Sequence, residues 1–217
     1  MFKFSLFLRE SVQTAGALIW RAVDAISKAC FCRTEDTNGS LPEHVHMALI
    51  DASEGVGKLQ HALVTMIFYK HNINKADQDK VLNLLLHHAY VEVHNWINEY
   101  ENLTLADSSI KLLQIIQAFR EPPHYTYWPN VPKTENSLLV SVEDDQPYNV
   151  NENVKNRFGT ALGEIGFHYF NVIRELCYAE HVYVYELAAG SAATRVFYVE
   201  KPANLYKAWR RRHREKS

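Results

Sequence analysis

LNLLLHHAYVEVHNWINEY, running from Leu82 to Tyr100, carries the clearest amphipathic pattern in the chain. Leu82, Leu85, Leu86, Ala89, Val93, Trp96, Ile97 and Tyr100 recur at three- and four-residue steps, which gathers them on one side of a helix. His88, Glu92, Asn95 and Glu99 fall on the other side. The spacing predicts one helix over about 76–102 with a single face toward a core.

The same period extends outward in both directions. Over 5–30, Leu8, Val12, Ala15, Ile19, Ala22, Val23, Ile26 and Cys30 form a helical stripe, with Arg9, Gln13, Arg21 and Lys28 off it. Turn formers in TEDTNGSLPEH follow, and Ser40 with Glu43 three residues later, plus Pro42, marks the start of a helix over about 41–71. Val45, Leu49, Ala52, Val56, Leu59, Leu63, Met66 and Ile67 supply its apolar positions, while Gly55 and Gly57 suit a close helix crossing. A shorter helix over about 107–120 carries Ile110, Leu113, Ile116 and Phe119 and stops at Pro122 and Pro123. Another, over about 151–180, carries Val154, Phe158, Ala161, Leu162, Ile165, Tyr169, Val172, Ile173 and Leu176, enough apolar surface for the middle of a bundle.

The predicted fold is therefore mainly α, a bundle of five or six helices. Between 121 and 147 lie five of the seven prolines around the run SLLVSV, which reads as one long loop. HVYVYEL and TRVFYVE, separated by AAGSAA, predict a small C-terminal β-hairpin; continuation of the preceding helix across Tyr183 to Ala189 is the alternative. After Pro202 a last short helix places Leu205 and Trp209 one turn apart. Three segments result: an N-terminal amphipathic helix and linker over 1–40, the bundle with its loop and hairpin over 41–200, and a basic tail over 201–217.

Composition narrows the class. Hydrophobic residues make up 47% of 217 and charged residues 22%, the balance of a globular chain rather than a disordered one. No run approaches the ~18 consecutive apolar residues a membrane span requires. Arg9, Glu10, Arg21 and Asp24 interrupt the apolar N-terminus, which reads as a helix rather than a signal peptide. Three cysteines, Cys30, Cys32 and Cys177, form neither a disulfide framework nor a metal-type repeat, so a reducing, cytoplasmic setting is expected. Net charge is only -2, yet Lys201 to Ser217 holds seven Lys or Arg against the single acid Glu215. The tail is thus +6 and the remainder -8, the layout of a tail that meets a polyanion, an acidic face or simply water.

One pair of residues could carry chemistry. Arg174 and His181 in VIRELCYAEHVYV are seven positions apart, so on a continuous helix they share a face to within ~20°. A histidine that moves the proton of a 2′-hydroxyl or leaving group, beside an arginine that stabilises phosphorane charge, could cleave RNA without metal. An arginine, six residues and a histidine in a chain of long helices resembles the HEPN superfamily of helical ribonucleases and nucleotide-binding modules. The resemblance spans at most 41–187 and implies a helical bundle, metal-independent action on RNA and a homodimer that brings two motifs into one cleft. It assigns Arg174 to phosphate stabilisation and His181 to proton transfer. The family usually has a small polar residue after the arginine; this chain has Glu175, whose carboxylate can pair with Arg174. If the helix ends near Glu180, His181 becomes a junction residue instead.

Other readings rest on residues alone. In FREPPHYTYWP, Arg120 and His124 stand beside Tyr125, Tyr127 and Trp128, a set that can hold a phosphate and stacked bases, or can cover the end of a bundle. Lys207, Arg210, Arg211, Arg212 and Arg214 in the tail would meet nucleic acid by charge. His88 with Glu92 and Glu164 with His168 have helical spacing, but they lack the duplicated Glu-x-x-His of carboxylate bundles, and no metal is expected. SEGVGKL lacks the spacing and preceding strand of a P-loop, and no dinucleotide fingerprint occurs, so no cofactor is expected. Two functions follow: a HEPN-like protein acting on RNA, as a ribonuclease or an inactive relative, or a non-catalytic helical module that binds protein or nucleic acid through its basic tail and aromatic loop.

Overall fold

The computed structural model describes residues 2–29, 43–120, 150–182, 196–197 and 201–214, with side chains from Ser5 onward. Among them are seven α-helices: α1 (Phe2–Lys28), α2 (Glu43–His71), α3 (Lys75–Leu86), α4 (Tyr90–Glu101), α5 (Asp107–Arg120), α6 (Glu152–Ala179) and α7 (Leu205–Arg214). The chain is mainly helical, as its periodicity predicts, and none of the described residues is in a strand. Of the expected hairpin, Val196 and Phe197 sit in a buried helical turn, and 183–195 and 198–200 lie outside the described residues, as does the loop 121–149.

At the centre runs α2, which packs against α1, α3, α4, α5 and α6. Its sequence explains why: Ala62, Leu63 and Val64 are consecutive and all fully buried, so this helix is apolar around most of its circumference rather than along one stripe. The tightest crossing is with α1. A Cβ on Gly55 would stand 2.9 Å from Ile19 Cγ1 and 3.3 Å from the Ala15 carbonyl, so glycine there lets the two backbones approach.

A second close approach is made on α6. A Cβ on Gly163 would lie 1.9 Å from the Ala203 carbonyl oxygen, and one on Gly159 would lie 2.6 Å from the Tyr206 backbone nitrogen. These glycines form a groove in which residues 203–206 rest directly on the α6 backbone. Asn151 opens α6, its side chain accepting from Val154 N–H at 3.0 Å. Two polar residues then couple α6 to its neighbours: Lys155 Nζ donates to the Ser27 carbonyl at the end of α1, and the Glu164 carboxylate accepts from Ala106 N–H and Ser109 Oγ at the start of α5.

The stretch Leu82 to Tyr100 is two helices, not one. α3 ends in a Schellman turn: His88 N–H reaches Leu85 O at 3.2 Å and Ala89 N–H reaches Leu84 O at 2.9 Å, with His88 at φ 56°. The break rotates the leucines out of register, and Leu82 and Leu86 are exposed while α3 buries Val81. Beyond the break, α4 buries Tyr90, Val93, His94, Trp96 and Ile97. The new helix start is stabilised from outside, because Val91 N–H donates to Gln117 Oε1 of α5 at 3.0 Å.

Candidate nucleic-acid interface

α7 has the sequence LYKAWRRRHR, and its apolar side is committed to the bundle: Leu205 and Tyr206 are buried against α1 and α6. Asn204 sets its start. The Asn204 side-chain oxygen accepts from Lys207 N–H at 2.9 Å as an N-cap, while its amide donates to Asn156 O at 2.9 Å and Thr160 Oγ1 at 2.8 Å on α6. One side chain thus starts the helix and fastens it.

Two acids complete the attachment. Glu152, in the first turn of α6, accepts from Tyr206 Oη at 2.7 Å and from Arg210 Nη1 at 2.8 Å. Burial, and then the hydrogen bond to Glu152, push the Tyr206 hydroxyl up to about 12, so it stays a donor. On α1, Asp24 accepts from Trp209 Nε1 at 3.0 Å and from Lys28 Nζ at 2.6 Å. Partial burial raises the Asp24 carboxyl, but those two hydrogen bonds outweigh it and hold the group below the ordinary carboxylate value.

The outer side of α7 is cationic. Lys207, Arg211 and Arg214 are exposed and, at positions i, i+4 and i+7, fall within an arc of about 60°. On the opposite side, toward α1, the Trp209 and His213 rings stack with centroids 4.1 Å apart, and Arg212 lies over Trp20 of α1, 4.5 Å from the ring centroid. His213 Nδ1 donates to the Trp209 carbonyl at 2.9 Å. The result is an outward row of charges on a helix whose aromatic rings face the bundle.

Of the tail residues named from sequence, Arg210 is tied to Glu152, whereas Lys207, Arg211 and Arg214 line the outer stripe and Arg212 covers Trp20. Asp24, Glu152 and Asn204, which hold the platform, carry no mark in the sequence. Trp20 does carry one, as a tryptophan lying off the apolar stripe of its helix.

Arg120 is elsewhere. At the last residue of α5 it turns onto α2, where Nε donates to Ser53 Oγ at 2.9 Å and the guanidinium pairs with Glu54. Its expected companions His124, Tyr125, Tyr127 and Trp128 lie outside the described residues. Arg174 and His181 do not share one helix. α6 ends at Ala179, and a second Schellman turn follows, with His181 N–H on Tyr178 O at 3.2 Å, Val182 N–H on Cys177 O at 2.9 Å, and His181 at φ 54°. Arg174 is half-buried on α6, while exposed His181 sits past the helix end, so the 100° repeat no longer relates the two. Among the described residues no group of three or more His, Cys, Asp or Glu could hold a metal ion; Glu164 is engaged at the start of α5, and His88 Nδ1 lies 3.1 Å from Tyr90 Oη.

Comparison with protein-family models, with curated proteins and with solved structures gave no match to this chain.

Proposed function

We propose that the protein is a helical module that binds single-stranded nucleic acid through α7, without catalysis by Arg174 and His181. The observation that carries this reading is the exposed stripe Lys207, Arg211, Arg214 on a helix whose other side is fastened to the bundle through Asn204, Trp209 and Arg210. Cations track a phosphate backbone regardless of its sequence. The apolar side of α7 is buried in the bundle, so what faces outward suits a polyanion in water better than insertion into lipid. A catalytic role would need His181 and Arg174 to converge, and a C-terminal turn separates them.

Fluorescence anisotropy with a labelled single-stranded RNA tests the reading. Three phosphate contacts give a log–log salt slope near -2, which lowers affinity about 20-fold between 50 and 200 mM salt. Replacing Lys207, Arg211 and Arg214 together by Ala is expected to reduce the slope by about two while leaving the fold intact. Unchanged affinity and slope in that variant would sink the assignment of α7.

A further inference from the structure

On the side where α2 meets the α3–α4 turn, the bundle has a half-open recess of about 170 Å³. Its α2 wall comes from SEGVGKLQH, in which Ser53, Glu54, Gly57, Lys58 and His61 fall along one side of an otherwise buried helix. The opposite wall is His88 and Tyr90, at the turn and the start of α4. Gly57 opens the space between them: a Cβ there would stand 3.4 Å from Tyr90 Cε1 and 3.8 Å from Tyr90 Oη.

The polar groups of the recess have defined roles. Glu54 is neutralised by Arg120, and Ser53 is occupied, donating to Ile50 O and accepting from Arg120 Nε. Among the described residues of the recess, Lys58 is then left as the uncompensated charge, with two imidazoles beside it. The left-handed backbone at His88 carries its ring over Tyr90, with Nδ1 3.1 Å from Tyr90 Oη. When Nδ1–H donates to the phenol oxygen, His88 Nε2 remains available. His61 packs against the edge of Phe7 of α1 at 5.1 Å, and its ring nitrogens make no hydrogen bond among the described residues.

We infer that this recess binds a phosphate group, with Lys58, His61 and His88 as its cationic partners. The volume is below the ~300 Å³ typical of pockets that enclose a drug-sized ligand, so the recess takes the head group of a phosphomonoester and leaves its body outside. Burial, and then the Lys58 charge, hold the His61 imidazole below its ordinary pKa; a bound anion supplies the opposite charge and draws a proton onto it. Every charged or titratable lining group enters this balance: Glu54, Lys58 and His61 on α2, His88 and Tyr90 at the α3–α4 turn, and Arg120 reaching in from α5.

Histidine ring signals followed by NMR during titration with phenyl phosphate test the inference on the full chain. The His61 and His88 signals are expected to move saturably and the His61 pKa to rise, while exposed His181 is unaffected. Lys58→Gln, at an exposed position, should weaken binding about ten-fold or more. His88→Asn keeps a residue that tolerates the left-handed turn and should weaken it similarly. Titration with sulfate, whose charge is constant near neutral pH, should show tighter binding at about pH 6 than at pH 7.5, as proton uptake by His61 requires. A 5′-phosphorylated oligonucleotide that shifts these signals where its 5′-hydroxyl counterpart does not would identify a nucleic-acid end as the source of the phosphate; shifts with phenyl phosphate alone would identify a small phosphomonoester. Absence of saturable shifts at His61 and His88 with all three phosphate and sulfate probes would overturn the site, as would unchanged affinity in both variants.

Discussion

His181 and His88 occupy left-handed positions just past their helices, where glycine is the usual choice because a Cβ there costs about 1–2 kcal/mol. Asn72 and Asn102 do the same after α2 and α4. Replacing His181 by Gly is expected to stabilise the fold by roughly 0.5–1 kcal/mol, since relief of backbone strain exceeds the added freedom of the unfolded chain. Urea unfolding measures this, and an RNA-binding assay on the same variant should show no loss. Deeper in the core, Gln60 Nε2 donates to Tyr90 O at 2.7 Å and to Tyr169 Oη at 3.1 Å, and the Tyr169 hydroxyl faces His94 Nδ1 at 3.2 Å. Burial raises the Tyr169 pKa, so its hydroxyl donates and His94 Nδ1 accepts as a neutral imidazole. Burial also holds the His94 pKa below 6.5, and burial followed by Lys58 does so for His61. For each, the unfolded state binds the proton first. Stability is therefore full above pH 6.5 and falls as pH drops below it toward the folded pKa values. Denaturant midpoints measured between about pH 7.5 and pH 5 should decline, and His94→Asn, which retains an acceptor near Tyr169, should flatten part of that decline.

At the level of elements, the C-terminal segment depends on what α6 lacks. Gly163→Ala would drive a methyl group into the Ala203 carbonyl, and backbone cannot yield as a side-chain tip can. We expect a loss of about 1–3 kcal/mol, with weaker RNA binding because residues 203–206 and α7 move together. Asn204→Ala removes the N-cap and both bonds to α6 and should destabilise by about 1–2 kcal/mol. Thermal unfolding and anisotropy, run on both variants, check whether stability and binding fall in parallel. The ends of α3 and α6 also show where periodicity stops being informative. Neither glycine nor proline marks 87–89 or 180–182, so the apolar repeat over 76–102 reads as continuous. The α3–α4 break is held by contacts distant in sequence: Gln117 on Val91 N–H, and Gln60 on Tyr90 O. At α6 the expected helix over about 151–180 matches the observed Glu152–Ala179, and of the two expectations for His181 the structure has the junction residue.

Across the whole molecule, the basic C-terminus is a structural part of the bundle as well as its cationic face. Removing 201–217 changes the net charge from -2 to -8 and uncovers the apolar surfaces under Leu205 and Tyr206. Burial of two such side chains contributes roughly 3–6 kcal/mol, equivalent to about 6–20 °C in melting temperature at this chain length. A calorimetric scan of the truncated chain should show a drop of that order; an unchanged transition would mean that α7 is only appended. The sequence by itself determined a helical bundle, the extents of α1, α2, α5 and α6 to within a few residues, the tail's charge and the fitness of Gly55 for a close crossing, because periodicity, charge and side-chain size are local properties. Tertiary structure decided the break at His88, the placement of Arg120 on α2, the seat of α7 on the α6 glycines and the recess around Lys58. Each of these depends on partners that are remote along the chain and meet only when α2 is enclosed by its neighbours.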